Sequence, residues 1–353
     1  MLTRKRYSAK EMILWTRLET ALFFVFALSL TAAYVLLGLK FLVVPWAPLA
    51  AIGTAVAFII GFQNNAAYGR IWEARKIWGG IVNATRTLAM KVTDMVTGEY
   101  ADDDVSAEEI GEIRKEIFYR HIAWITALRH AMRQPRKWEV FEEHRTNREW
   151  SKEMHVPERV TTLEDDLFLF LSDEEWHKVT DAKNKQATVL YLQSNHFRRL
   201  KERGLIWEFA FLELENLLQE LFTLQGKSER IKNFPYPRQY STLSHIFVWM
   251  FLLLLPLAVI PEFAKVGNGF AENFPLASQW FVWAAVPFCT LVSWIFHTME
   301  RIGRVGENPF EGSANDVPIS TMSRALEIEL RHLLGEDDDI LPTQFPEIQD
   351  VQM

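Results

Sequence analysis

Residues Ala51–Met90 read AIGTAVAFIIGFQNNAAYGRIWEARKIWGGIVNATRTLAM. The stretch begins as a charge-free apolar helix and, beyond Gln63, becomes an amphipathic one rich in Trp and Arg. That change of character puts one end of a single helix in hydrocarbon and the other in water. Thr54, Phe58 and Phe62 fall at the i, i+4, i+8 spacing that shares a face. Such a row fits the lining of an ion pathway. It also fits plain contact with lipid or a neighbouring helix, which is what aromatic stripes mostly make.

Upstream, Met1–Glu19 is basic, with Arg4, Lys5, Arg6, Lys10 and Arg17 against Glu11 and Glu19. Ala21–Leu39 then carries no charge and is long enough to cross a bilayer. A basic start before an apolar run also suggests a secretory signal. This run is too long for one, and a second follows at once, so the segment is read as a retained span with its basic end cytoplasmic. Lys40–Trp46 makes a tight outer turn, and Pro48 suits the first turn of the next helix. Ala47–Gly69 is the second span, and Arg70, Arg75 and Lys76 close it on the side where the chain began.

The composition agrees with apolar spans attached to a sizeable water-soluble part. Of 353 residues, 49% are hydrophobic, yet 24% are charged, too many for a wholly embedded bundle. Thirteen Trp and 25 Phe suit interfacial aromatic belts. The net charge of -7 argues against a nucleic-acid partner. Cys289 is the single cysteine, so no intrachain disulfide forms, and its apolar surroundings mark it as packing.

From Arg70 to about Tyr240 no run crosses a membrane, and the pattern is helical. Ser106 before Glu108 and Glu109 caps a helix to Met132, with Ile110, Ile113, Ile117, His121 and Trp124 on one face. Further helices are expected over Glu164–Leu171, Asp181–Arg203 and Leu205–Leu224, the last ended by Gly226 as a C-cap. Gln134–Pro157 reads as an exposed connection, and strand signals are weak. This is a helical unit of roughly 170 residues, large enough for its own core. Pro235 and Pro237 then break the helix. Ser244–Ile260 is the third span, with Pro256 as a kink. Pro261–Pro275 is an outer loop, and Leu276–Thr298 is the fourth span, in which a mid-span Pro287 frees a carbonyl.

The expected fold is all-α. Residues 1–69 hold the basic start and spans one and two, 70–243 a cytosolic helical domain, 244–298 spans three and four, and 299–353 a cytosolic segment with an acidic tail. Both termini then lie inside. Within the last span only His297 is ionisable. Pumps and coupled carriers usually hold charges at membrane depth, so a passive pathway or a structural role is favoured. Spans this apolar cannot enclose a polar channel within one chain, so a pore requires several copies around an axis.

Three motifs carry a family resemblance. Gly61-Phe62-Gln63-Asn64-Asn65-Ala66-Ala67-Tyr68-Gly69-Arg70-Ile71-Trp72-Glu73 resembles the signature ending the second span of bacterial bestrophin-like channels. Glu229-Arg230-Ile231-Lys232-Asn233 with Pro235, Pro237 and Tyr240 is similar to the stretch before the third span, and Glu307-Asn308-Pro309-Phe310 to the motif after the fourth. The resemblance implies a homopentamer in the bilayer, second-span helices around a central pore, no cofactor and no enzymatic activity. It places Thr54, Phe58 and Phe62 in a hydrophobic neck. Counting back from Gly226, it places Leu205 at a second, cytosolic aperture; a core leucine is the competing reading. Chloride conduction by eukaryotic relatives puts anions first, and monovalent cations stay open because the chain is acidic.

Departures matter too. Where the family often has Asp-Arg-Trp-Trp, this chain has Gly69-Arg70-Ile71-Trp72, removing a carboxylate partner of Arg70 and an aromatic anchor. Thr54 replaces a bulkier aliphatic residue. Calcium-gated animal relatives follow Asn-Pro-Phe with a run of acids; here only Glu311 and Asp316 remain, too few for the oxygens calcium wants. Asp102–Asp104 and Glu336–Asp339 read as solvated charge. No phosphate-binding loop, dinucleotide glycine pattern or nucleophile elbow is present. A non-conducting membrane scaffold or sensor is the alternative function.

Overall fold

A computed structural model describes residues 1–101 and 104–353. Asp102 and Asp103 of the acidic cluster lie outside the described residues. Twelve α-helices run through the described chain: α1 (Ala9–Leu36), α2 (Trp46–Met95), α3 (Ala107–Arg133), α4 (Arg145–Glu153), α5 (Leu163–Phe168), α6 (Asp173–Thr180), α7 (Lys185–Glu202), α8 (Glu208–Asn233), α9 (Arg238–Gly269), α10 (Pro275–Phe281), α11 (Ala285–Gly306) and α12 (Ile319–Leu333). Among the described residues the only β pairing is in isolated bridges at Val351, to Leu2 and Ile348.

Four stretches are long and apolar enough to cross a membrane: α1, α2, the joined α8–α9 and the joined α10–α11. The protein is an integral membrane protein. Its centre is α2, one unbroken helix of 50 residues, about 75 Å at 1.5 Å per residue. That is more than twice the roughly 30 Å hydrocarbon thickness. Its upper half gives Leu49, Val56 and Ile60 to an apolar cluster with Phe23 of α1, Val248–Ile260 of α9 and Cys289 of α11. Its lower half gives Ala74, Ile77, Trp78, Ile81 and Leu88 to a second cluster with α3, α7, α8 and α12. One helix is therefore structural to both cores.

Local chemistry sets the ends. Ser8 and Glu11 form a reciprocal capping box that starts α1. The side chain of Ser106 accepts the Glu109 N–H and starts α3, as its sequence predicts. The α3 stripe, Ile110, Ile113, Ile117, His121 and Trp124, is buried as expected. His121 meets the Thr85 hydroxyl at 2.9 Å, and burial pulls its pKa down to about 3, so it is neutral.

Several boundaries differ from expectation. Gly226 does not end a helix: α8 runs through it to Asn233. The buried stripe of Leu214, Leu217, Leu218, Leu221 and Leu224 continues to Ile231 and outweighs the roughly 1 kcal/mol cost of one interior glycine. A helix-ending glycine with positive φ stands instead at Gly204 (+71°), just past α7, where a Cβ would meet the Tyr100 carbonyl oxygen at 2.4 Å. Helix α7 starts at Lys185 rather than Asp181, because Asn184 caps it, and the short α6 was not expected. Helix α9 continues through Pro261 to Gly269. The carbonyl that Pro261 leaves free, on Leu257, accepts the Val44 N–H of the turn before α2 at 3.2 Å. Pro287 is not mid-span in an unbroken helix. A 3₁₀ turn at Val282–Ala284 separates α10 from α11, and Pro287 lies in the first turn of α11, where its missing N–H costs little.

Candidate ion pathway

The candidate neck row stands clear of the protomer's packing. Phe58 is 66% exposed and Phe62 72% exposed, while Val56, Ile60, Gln63 and Ala67 on the opposite face are buried. Thr54 is also exposed. Its hydroxyl donates to the Ala50 carbonyl at 2.9 Å, so the helix itself satisfies it. Packing within one chain therefore does not explain these rings; lipid or another copy must cover them.

Below the row, the signature motif ties α2 to the ends of three helices. Gln63 donates to Glu307 at 2.8 Å and accepts from Ser244 at 2.6 Å. Ser241 donates to the same Glu307 carboxylate. Arg70 donates to the Glu307 carbonyl (2.6 Å), ending α11, and to the Ile231 (3.0 Å) and Phe234 (2.9 Å) carbonyls, ending α8. Carbonyls at helix C-termini have no intrahelical partner and carry negative potential. Arg70 thus finds three backbone acceptors in place of the family's carboxylate. Glu73 pairs with Arg230 at 2.6 Å, and Glu229 accepts from Gln186 (2.8 Å) and Gln225 (2.9 Å). Ile71 takes the aromatic's place against Gly306, where a Cβ would come within 3.3 Å of it. Trp72 stacks on Tyr68 with centroids 6.3 Å apart. Gly61 and Asn65 are exposed along the row, and a Cβ at Gly61 would meet nothing within 4 Å. Pro235 and Pro237 occupy the break between α8 and α9.

The third motif forms a buried knot. Phe310 has φ +77°, rare for a bulky side chain, and its fully buried ring packs 6.3 Å from Trp78. Asp316 holds this backbone. One carboxylate oxygen accepts the N–H of Phe310 (2.9 Å) and Val317 (2.7 Å). The other accepts the N–H of Gly312 and a guanidinium nitrogen of Arg133, both at 2.9 Å. Glu311 accepts the N–H of Val140 (3.3 Å) and Phe141 (3.2 Å). Both calcium candidates point at donors, and among the described residues no three His, Cys, Asp or Glu converge to hold a metal. Burial, with repulsion from Glu139, pushes Glu311 up to about 8. Asn308 beside it is buried with both side-chain polar atoms unpartnered among the described residues, and Pro309 leads into Phe310.

Leu205 does not line an opening. It is 0% exposed, and its carbonyl accepts the Thr97 N–H at 3.0 Å. Four residues beyond Leu205, the first turn of α8 exposes Phe209 to 75%, beside the far end of α2, where Lys91 pairs with Glu213 at 2.6 Å.

Sequence reading also missed the joint below the spans. Arg301, just past the fourth span, is fully buried and lies 4.1 Å over the Trp15 ring. It donates to the Trp15 carbonyl (2.9 Å), Asn147 (2.7 Å) and Thr146. Glu300 is buried too and meets His245 at 3.0 Å. The alternation of Glu300, Arg301 and Arg304 at a helix end was the available signal.

The three motifs thus converge on one place, where α2, α8, α11 and the segment after α11 meet. A sequence model of the bacterial and fungal bestrophin family matches residues 8–332. The chain belongs to the bestrophin family. Curated relatives of this bestrophin include the voltage-dependent anion channel-forming protein YneE of Salmonella typhi, 25% identical over 86% of this chain and 81% of that one. A Ralstonia nicotianae protein described in the same words, RSc3414, is 27% identical over 82% of this chain and 77% of its own. A crystal structure of a bacterial bestrophin homologue from Klebsiella pneumoniae superposes with TM-score 0.68 at 21% identity, covering 91% of this bestrophin and 99% of that chain. That likeness establishes the shared fold.

Proposed function

We propose that this bestrophin is a homopentameric channel that passively conducts monovalent ions, anions first, through a central pore lined by α2. One observation carries the reading: Phe58 and Phe62 are exposed on the charge-free, membrane-depth half of α2, whose other face is packed. Five such helices around an axis bring ten phenyl rings into a neck with no oxygen ligands. It admits or expels water according to its width and does not chelate ions. Ring edges carry partial positive charge and tolerate a passing anion. The curated relatives described as anion channel-forming proteins support that preference. Phe209 forms a second apolar constriction at the cytosolic end. The basic ends of the spans support a cytoplasmic position for both termini, in a bacterial inner membrane.

Planar-bilayer recording of purified protein tests this. Phe58→Ala with Phe62→Ala widens the neck and raises flux, and mass photometry gives five times the 41.1 kDa chain. Unchanged flux in an assembled double variant removes the neck. A reversal potential that follows sodium favours the cation reading, and well-formed silent pentamers favour the scaffold.

A further inference from the structure

The pore proposed above has one row of α2 facing the axis, and that row continues below the neck. Phe58 and Lys76 are 18 positions apart, five whole turns at 3.6 residues per turn, so they share an azimuth. Between Phe62 and Lys76 the row passes Asn65, Gly69 and Trp72, all exposed and none charged. Lys76 is therefore the first charge in line with Phe58 below the rings; Glu73, near the row just above it, is held by Arg230 at 2.6 Å. It lies about 21 Å beneath Phe62 at 1.5 Å per residue.

Its surroundings set it apart from the other cations of α2. Arg70 is spent on three carbonyls, Arg86 pairs with Glu329 at 2.7 Å, and Lys91 pairs with Glu213 at 2.6 Å. Lys76 is exposed and has no ion pair or hydrogen bond among the described residues. Arg75 is equally unpaired among the described residues but points about 100° away from the row. The next acid on the row is Asp94, a further 18 positions down, about 27 Å away.

We infer that Lys76 is the charge-selectivity residue of this channel: five copies form a cationic ring that gathers anions at the inner mouth of the neck. A narrow, water-filled cavity with low-dielectric walls focuses such a field and raises counter-ion concentration tenfold or more. The ring acts by concentration and not by coordination, so salt weakens it. The Debye length falls from about 30 Å at 0.01 M to about 3 Å at 1 M.

The native Cys289 is buried and is the only cysteine, which permits a direct test. In a Cys289→Ala background, Lys76→Cys is recorded in bilayers before and after methanethiosulfonate reagents of either sign. The positive reagent restores anion conductance toward the Cys289→Ala level. The negative one lowers it about tenfold at 0.01 M salt, moves the reversal potential toward the cation, and has little effect at 1 M. Lys76→Glu reproduces the negative reagent. Labelling proved by mass spectrometry with no change in conductance or reversal potential overturns the assignment while leaving the pore intact. A Cys289→Ala background that is silent while wild type conducts reflects the cysteine replacement, and Lys76→Glu on the wild-type chain then decides. A wild-type protein that carries no current removes the pore itself, and the ring with it.

Discussion

Asp316→Asn should damage the fold far more than its one-atom change suggests. In the native knot one carboxylate oxygen serves Phe310 and Val317, and the other serves Gly312 and Arg133. Asparagine keeps an oxygen for the first pair and turns an NH₂ toward the second, so two donors face a third. Arg133 then keeps only Glu158, at 3.8 Å, and the Val317 carbonyl, at 3.4 Å. Breaking a buried ion pair from one side costs about 3–5 kcal/mol, and an orphaned buried N–H about 1–3. Because Glu158 relieves Arg133 in part, about 3–5 kcal/mol is expected in total, a large share of a stability of about 5–15 kcal/mol. Chemical unfolding in detergent, followed by tryptophan fluorescence, measures it, and Trp78 against Phe310 is a local reporter. Arg133→Met removes the stranded cation, so the double variant should lose less than the sum of the two by about 1–3 kcal/mol. Calcium should add no stability, although a ligand at a hundredfold its Kd would add about 2.7 kcal/mol. A loss under about 1 kcal/mol, strict additivity, or calcium-dependent stabilisation each refutes the knot as described.

Leu205→Ala should cost about 2–5 kcal/mol as a core truncation and leave unitary conductance unchanged, read by unfolding and single-channel recording on the same preparation. Arg70→Met should destabilise by about 2–4 kcal/mol, since charged hydrogen bonds to three carbonyls are lost; Arg70→Lys should fall between it and wild type. Glu311 titrates near 8 in the fold and near 4.5 unfolded. The folded state holds the extra proton between those values, so stability falls as pH rises through that window and levels off above about 8. Glu311→Gln should flatten that part of a stability–pH curve.

The spans and the switch in α2 were legible because hydropathy and the exclusion of charge act over tens of residues. The α3 stripe and the Ser106 cap were legible because they are local. The end of α8 was misplaced because a lone glycine signals a terminus only if its φ turns positive, and that depends on what packs around it. Pro261 misled for a related reason: its stranded carbonyl is satisfied by Val44, more than 200 residues away in sequence. Three motifs marked the joint around Arg70 and Asp316. Which carbonyls and N–H groups those side chains reach is a matter of tertiary proximity, which no spacing encodes. The burial of Arg301 was hidden similarly, because its partners come from α1 and α4.

A single rod that belongs to both cores has a mechanical consequence. Val92, deep in the helical body below the spans, and Phe58 sit on one helix about 51 Å apart along its axis. With its ladder uninterrupted, rotation at one end reaches the other. The weakest link is Gly79–Gly80, where two successive residues lack side chains and Gly80 lets the Leu224 side chain come within 3.0 Å of where its own Cβ would be. Flexure concentrates at such a pair. Anything that pries Leu224 from that notch therefore works a lever whose far arm carries the phenyl rings.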